Sequence, residues 1–182
     1  MGTLPRDLKV VLTSDQLQRR VRDIARQISS QYDGKSLTAV CVLENGFMFM
    51  ADLVRALEIP VRCRFIKPEL TEKTDGSVTS TQIFYSPEID VAGQHVLLVE
   101  ALMESGVTTE FLLRNLLGRG ALSVKVAVML DRQSQRRVFL QPDYFGFIVD
   151  EKYLVGYGLG LSDLGRNLPY VSASADPAPE RA

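Results

Sequence analysis

The stretch Val96-Leu97-Leu98-Val99-Glu100-Ala101-Leu102-Met103-Glu104-Ser105-Gly106-Val107-Thr108-Thr109 limits the fold of this chain more than any other. Its four leading apolar residues read as a buried strand. Acids follow at the carboxyl end, and a turn of small residues then opens a helix. An open parallel α/β sheet binds its ligands at that end of its strands. The turn Ser105-Gly106-Val107-Thr108-Thr109 offers backbone N–H groups and hydroxyls at a helix N-terminus, which suits a phosphate. The carboxylates just upstream suit sugar hydroxyls or a hard cation such as Mg2+.

The flanking sequence alternates in the same way. Thr13-Ser14-Asp15 reads as a helix start, and Leu17, Val21, Ile24, Ala25 and Ile28 recur at helical spacing through 16–32. Asp33-Gly34-Lys35 is a turn. Residues 37–43 read as a buried parallel strand, Glu44-Asn45-Gly46 as a polar break, 47–57 as a helix and 61–66 as a second strand. The segment 67–87 is polar and turn-rich and reads as a long functional or mobile loop, with 82–85 as one arm of a hairpin. A helix is expected over 108–117, with Gly118 and Gly120 near its C-cap. Further strands are expected over 124–130, 144–149 and 153–157. The order predicts an α/β doubly wound sheet with a small irregular hood.

Length and composition narrow the function. The 182 residues suffice for one domain with a sizeable core, placed at 1–172, with 173–182 expected to be a disordered tail. A formal net charge of −1 and the lack of a basic run argue against nucleic acid and membrane surfaces as partners. No apolar run reaches membrane-span length, and the first ten residues lack a signal-peptide core, so a cytoplasmic protein is expected. Cys41 and Cys63 lie in apolar runs without metal-ligand spacing and are expected to be buried thiols. His95, the one histidine, has no triad or zinc partners nearby and is expected at a strand edge or surface.

Four blocks in order resemble the bacterial hypoxanthine-guanine phosphoribosyltransferases, a type I phosphoribosyltransferase family. Residues 42–53, with Leu43-Glu44-Asn45-Gly46, resemble the pyrophosphate loop and the helix after it. Residues 96–109 resemble the loop that binds phosphoribosyl pyrophosphate (PRPP). Residues 131–137 with Asp143-Tyr144-Phe145-Gly146-Phe147 resemble the strand pair around the purine. Tyr153-Leu154-Val155-Gly156-Tyr157-Gly158-Leu159 with Arg166-Asn167-Leu168-Pro169-Tyr170 resembles the closing segment.

The resemblance implies a type I phosphoribosyltransferase fold: a doubly wound, mainly parallel sheet flanked by helices, with a hood. It implies a purine base or nucleotide and PRPP as partners, Mg2+ as cofactor, and a homodimer or homotetramer. The reaction joins purine to PRPP and releases pyrophosphate. The implied roles are Glu104 as general base beside purine N7, and Glu100, Ser105, Gly106, Thr108, Thr109 and Arg166 at PRPP and its phosphates. Arg132 would reach the purine 6-oxo group, Tyr153 would stack on the base, and the Leu154 backbone would meet the purine edge. Glu100 and Asp163 are the candidate metal ligands.

The departures cluster on one side. The family pairs two acids where this chain has Glu100-Ala101, and it places a neutral-to-basic residue where Glu44 stands. Its closing-segment Asp is Gly160 here, and the Ser-Tyr pair of its mobile loop is missing from 67–71. Each lost electrostatic contact can cost on the order of 3 kcal/mol in the transition state. The reading favoured here is a protein that binds a purine or its nucleotide and transfers phosphoribose weakly or not at all. A working enzyme using Glu100, Glu104 and Asp163 is the alternative. An RNA-binding regulator of the same fold is disfavoured by the charge balance.

Overall fold

Thr13 caps the first helix of a computed structural model that describes residues 7–72, 78–86, 89–161 and 164–174. Its Oγ1 accepts from the Gln16 N–H at 3.3 Å while Gln16 Oε1 accepts from the Thr13 N–H at 2.9 Å. Such a capping box contributes about 1 kcal/mol. The elements run β1 (Lys9–Leu12), α1 (Ser14–Gln31), β2 (Leu37–Val42), α2 (Phe47–Ala56), β3 (Val61–Glu72) and β4 (Val78–Ser86). They continue as β5 (His95–Met103), α3 (Val107–Gly118), β6 (Ser123–Asp131), β7 (Tyr144–Ile148), β8 (Tyr153–Val155) and β9 (Val171–Ser174).

The main sheet has the order β4-β3-β2-β5-β6-β7. Its five strands β3 to β7 in that order are parallel, and β4 adds antiparallel at one edge. From β2 the chain crosses to β3 on one side, and β5 then lies on the other. The direction of winding therefore reverses between β2 and β5, where an open α/β sheet forms its ligand crevice. A second sheet, β1-β9-β8, is the hood.

The two faces of β5 divide the core, because side chains alternate along a strand. Leu97, Val99 and Ala101 join α1, α2 and the hood residues Leu154, Tyr157 and Leu159 in one cluster. Val96 and Leu98 join Leu112 and Leu116 of α3 in the other. No helix among the described residues is long and apolar enough to cross a membrane.

Three expectations change, and one unexpected strand is added. The segment 67–87 is not a long loop: β3 runs to Glu72 and pairs with β4 from Phe65↔Ser86 to Glu72↔Val78. Pro68 is accommodated because β3 has lost β2 as a neighbour after the pair Val42↔Ile66. Cys63 is exposed rather than buried, since β3 is an edge strand until β4 joins at Phe65. The folded chain also extends past 172: Ala173 pairs with Lys9 and Leu154, and Ser174 with Tyr153. The rest of the expected tail, 175–182, lies outside the described residues. Finally, β1 completes the hood, although its alternation is too short to stand out in the sequence. His95 opens β5 as expected, with Nδ1 2.8 Å from Ser123 Oγ.

Candidate functional site

The crevice between β2 and β5 collects the candidate residues on three turns. Leu43-Glu44-Asn45-Gly46 follows β2, Glu104-Ser105-Gly106 follows β5, and Arg132 follows β6. The hood segment after β8 closes the fourth side.

The turn after β5 is built on Gly106, which adopts φ +76°, a left-handed conformation that favours glycine. A Cβ there would lie 2.9 Å from Val138 Cγ2 and 3.1 Å from Arg136 Nη1. Arg136 therefore packs directly over the turn and also pairs with the buried Asp131. The Ser105 Oγ accepts from the Val107 N–H at 3.3 Å, and Ser105 O accepts from the Arg137 N–H at 2.9 Å. Ser105 and Thr108 stay part-exposed at the start of α3, where amides point outward. A cavity of about 530 Å³ opens beside them, lined by Asp131, Arg136 and residues 138–140.

Glu100, the expected ribose and metal ligand, is nearly buried. It is 8% exposed and lies on the α3 face of β5, where Thr109 Oγ1 donates to its Oε2 at 3.1 Å. Its Oε1 is buried without a partner. Burial pushes its carboxyl up to about 7, against the opposing effects of Thr109 and Arg136. Thr109 is turned inward by the same bond and Gly106 is buried, so Ser105 and Thr108 are the part-exposed residues of the expected phosphate turn. Ala101, on the opposite face, is 3% exposed in the cluster that contains the hood residues.

Arg132 is the buried cation of the site, at 5% exposure. It pairs with Glu104 and donates to the carbonyls of Glu151 and Lys152, the latter at 3.1 Å. Its Nε is buried without a partner. The Glu104 side chain is half-exposed, so the pair bridges the interior and the crevice mouth. Tyr153 is part-buried and Leu154 buried, directly after the carbonyls that hold Arg132.

At the far end, Glu44 lies between two cations. Lys67 Nζ is 3.1 Å from its Oε1, and Arg166 Nη2 is 3.4 Å from its Oε2. Arg166 Nη1 also donates to Asn45 Oδ1 at 2.5 Å and to Gly158 O at 2.8 Å. The hood sits this close because of Gly158, at φ +97°, where a Cβ would collide with the Asn45 carbonyl. A Cβ on Gly160 would meet Arg166 Cζ at 2.8 Å, so the guanidinium covers that glycine. Asp163 lies outside the described residues. Among the described residues no three His, Cys, Asp or Glu side chains gather as a metal site.

The structure thus brings Glu104 and Arg132 into contact, and Glu44, Asn45 and Arg166 likewise. It separates Glu100 from the crevice surface. Sequence reasoning missed Lys67 and Arg136. Lys67 had no visible role before the β3–β4 hairpin placed it beside Glu44. Arg136 stands five residues after Asp131, a spacing that says nothing until a turn brings the two together.

Residues 9–160 match the family model for the phosphoribosyl transferase domain. The hypoxanthine-guanine phosphoribosyltransferase of Aquifex aeolicus is 35% identical over 165 residues, covering 90% of this chain and 93% of that protein. The bifunctional protein TilS/HprT of Listeria innocua is 32% identical over 165 residues, which are 90% of this chain and 25% of that protein. This chain therefore spans about a quarter of the length of that relative. A solved hypoxanthine phosphoribosyltransferase from Staphylococcus aureus has a TM-score of 0.85 at 28% identity, covering 92% of this chain and 91% of that one.

Proposed function

The chain belongs to the hypoxanthine-guanine phosphoribosyltransferase family, and we propose that it keeps the purine and 5′-phosphate ends of that site while its grip on PRPP is eroded. The observation that carries this reading is the environment of Ala101 and Gly160. These are the two positions where the resemblance implies carboxylates for ribose and metal. Ala101 is buried in the apolar cluster that also holds the hood residues, and Gly160 is covered by the Arg166 guanidinium. Neither position offers an acceptor to a ribose hydroxyl or a cation.

The purine end is supported by Arg132, whose buried guanidinium is fixed by two carbonyls and by Glu104. A guanidinium held here would donate to a 6-oxo oxygen or a ring nitrogen once Glu104 yields one of its N–H groups. Tyr153 would cover the base from the hood. The 5′-phosphate end is supported by the Gly106 turn, where amides and hydroxyls at the start of α3 suit a phosphate. A 6-oxopurine nucleotide would satisfy both ends.

Of the two carboxylates expected at the family's Mg2+, Asp163 lies outside the described residues and Glu100 is nearly buried. Mg2+ is held by one or two carboxylates together with ligand phosphates. Here Glu100 is buried and bonded to Thr109, and Glu44 is engaged by two cations. Without these contacts the oxocarbenium-like transition state loses several preorganised charges, each worth about a hundredfold in rate.

A second reading, a working transferase, draws support from the Glu104–Arg132 pair, which keeps an acid where the general base belongs. Calorimetric titration separates the two. The eroded site binds IMP or GMP and takes up PRPP with Mg2+ at least about a hundredfold more weakly. PRPP binding as tight as that of the nucleotides would favour the working enzyme.

A further inference from the structure

We propose that Glu44 is a tethered anion that closes the Lys67–Arg166 cation pair to free pyrophosphate, and so decides which ligands this site accepts. The inference rests on the reading of this crevice as a nucleotide site. It adds the device that excludes one half of the ligand.

Three observations converge on Glu44. It is the acid that bridges the two cations, with one carboxylate oxygen on each, at 3.1 Å and 3.4 Å. The cations come from separate elements, Lys67 from β3 and Arg166 from the hood segment, so the bridge draws a strand, a loop and the hood together. Arg166 is also aimed by neutral acceptors, Asn45 Oδ1 and Gly158 O, and would keep its direction without Glu44. A fixed guanidinium beside an ammonium is the arrangement that recognises phosphate oxygens. In this chain a carboxylate of its own occupies that arrangement.

The consequence is selective. A free pyrophosphate group would have to displace Glu44 from both cations and then sit beside the displaced charge. A nucleoside monophosphate places its single phosphate at the Gly106 turn and need not contact Glu44. The site therefore admits a nucleoside 5′-monophosphate and resists any ligand with a second phosphate cluster at the hood end. The bridge is half-exposed to solvent, with Glu44 at 51%, so it opens at modest cost and the exclusion is graded.

The test uses the full chain and inorganic pyrophosphate as probe, with binding read by calorimetry. Glu44→Gln keeps the shape and removes the charge. It should bind pyrophosphate at least about tenfold more tightly than the wild type, the factor expected for removing a like charge at a partly screened site. Adding Lys67→Gln to that variant should abolish the gain. Glu44→Ala is the second variant and should show the same gain if Glu44→Gln does not fold. Equal pyrophosphate affinity in the wild type and in the charge-free variants would overturn the proposal, as would a gain that survives loss of Lys67. IMP binding by the wild type, measured in the same preparation, tests the nucleotide reading separately.

Discussion

Glu100 and Thr109 face each other across the turn between β5 and α3, with the Thr109 hydroxyl donating to Glu100 Oε2 at 3.1 Å. The bond satisfies one carboxylate oxygen and leaves the other buried without a partner. Burial raises the carboxyl from 4.5 to about 7. Between those values the folded chain holds a proton that the unfolded chain has released. Stability therefore falls as pH rises from about 4.5 to about 7 and is level above that. Glu100→Gln should remove the slope. Urea denaturation at pH 5 and pH 8 should show the wild type losing up to about 3 kcal/mol relative to the variant. Parallel profiles for the two proteins would show that Glu100 is not the group responsible.

Ala101→Asp would restore the acid pair that the family carries. The position is 3% exposed inside an apolar cluster, so the new carboxylate has no water and no partner there. It should destabilise the chain by about 2 kcal/mol or more. A melting temperature within a degree or two of the wild type would show that the side chain reaches the crevice after all.

Gly158 and Gly160 separate two kinds of glycine. At Gly158 a Cβ meets a carbonyl oxygen of the backbone at φ +97°, and neither can move away easily. At Gly160 it meets the far end of the Arg166 side chain at 2.8 Å, which needs to give by only a few tenths of an ångström and can take a carboxylate as a further partner. Gly158→Ala should cost about 2 kcal/mol or more, whereas Gly160→Asp should fold with nearly unchanged stability. Thermal melts of the two variants compare them directly, and equal losses would be the contrary result.

Arg132 ties the candidate general base to the hood through the Glu151 and Lys152 carbonyls. Arg132→Met leaves those carbonyls and Glu104 without a donor. A loss of about 2 kcal/mol in stability and at least about tenfold in IMP affinity is expected. Arg132→Lys keeps the charge but not the planar fork, and should fall between the two. Unaltered IMP affinity in Arg132→Met would remove this residue from the purine end.

Much of this was legible in the sequence, for identifiable reasons. The runs at β2 and β5 are buried on both faces and so read as unbroken apolar stretches, and the Ser105-Gly106 turn follows directly. Thr13-Ser14-Asp15 and the helical spacing after it announced α1, because both signals are local in sequence. Of the β3–β4 hairpin only the arm at 82–85 was legible; its partner, the extension of β3 past Ile66, was read as loop because it is polar and contains Pro68. The inward turn of Glu100 follows from strand parity, with Val96 and Leu98 on the same face. Parity could be read only once the start of β5 and the position of α3 were known. The bridge at Glu44 joins residues 23 and 122 positions away in the chain, a relation that no local pattern encodes.

The central claim is purine-nucleotide binding without efficient phosphoribosyl transfer. The most direct measurement is steady-state turnover of hypoxanthine and guanine with PRPP and Mg2+, on a preparation shown to bind IMP. The account predicts turnover at least about a hundredfold below that of the Aquifex aeolicus relative assayed alongside. Turnover equal to that relative would contradict it and assign the chain to the working transferases.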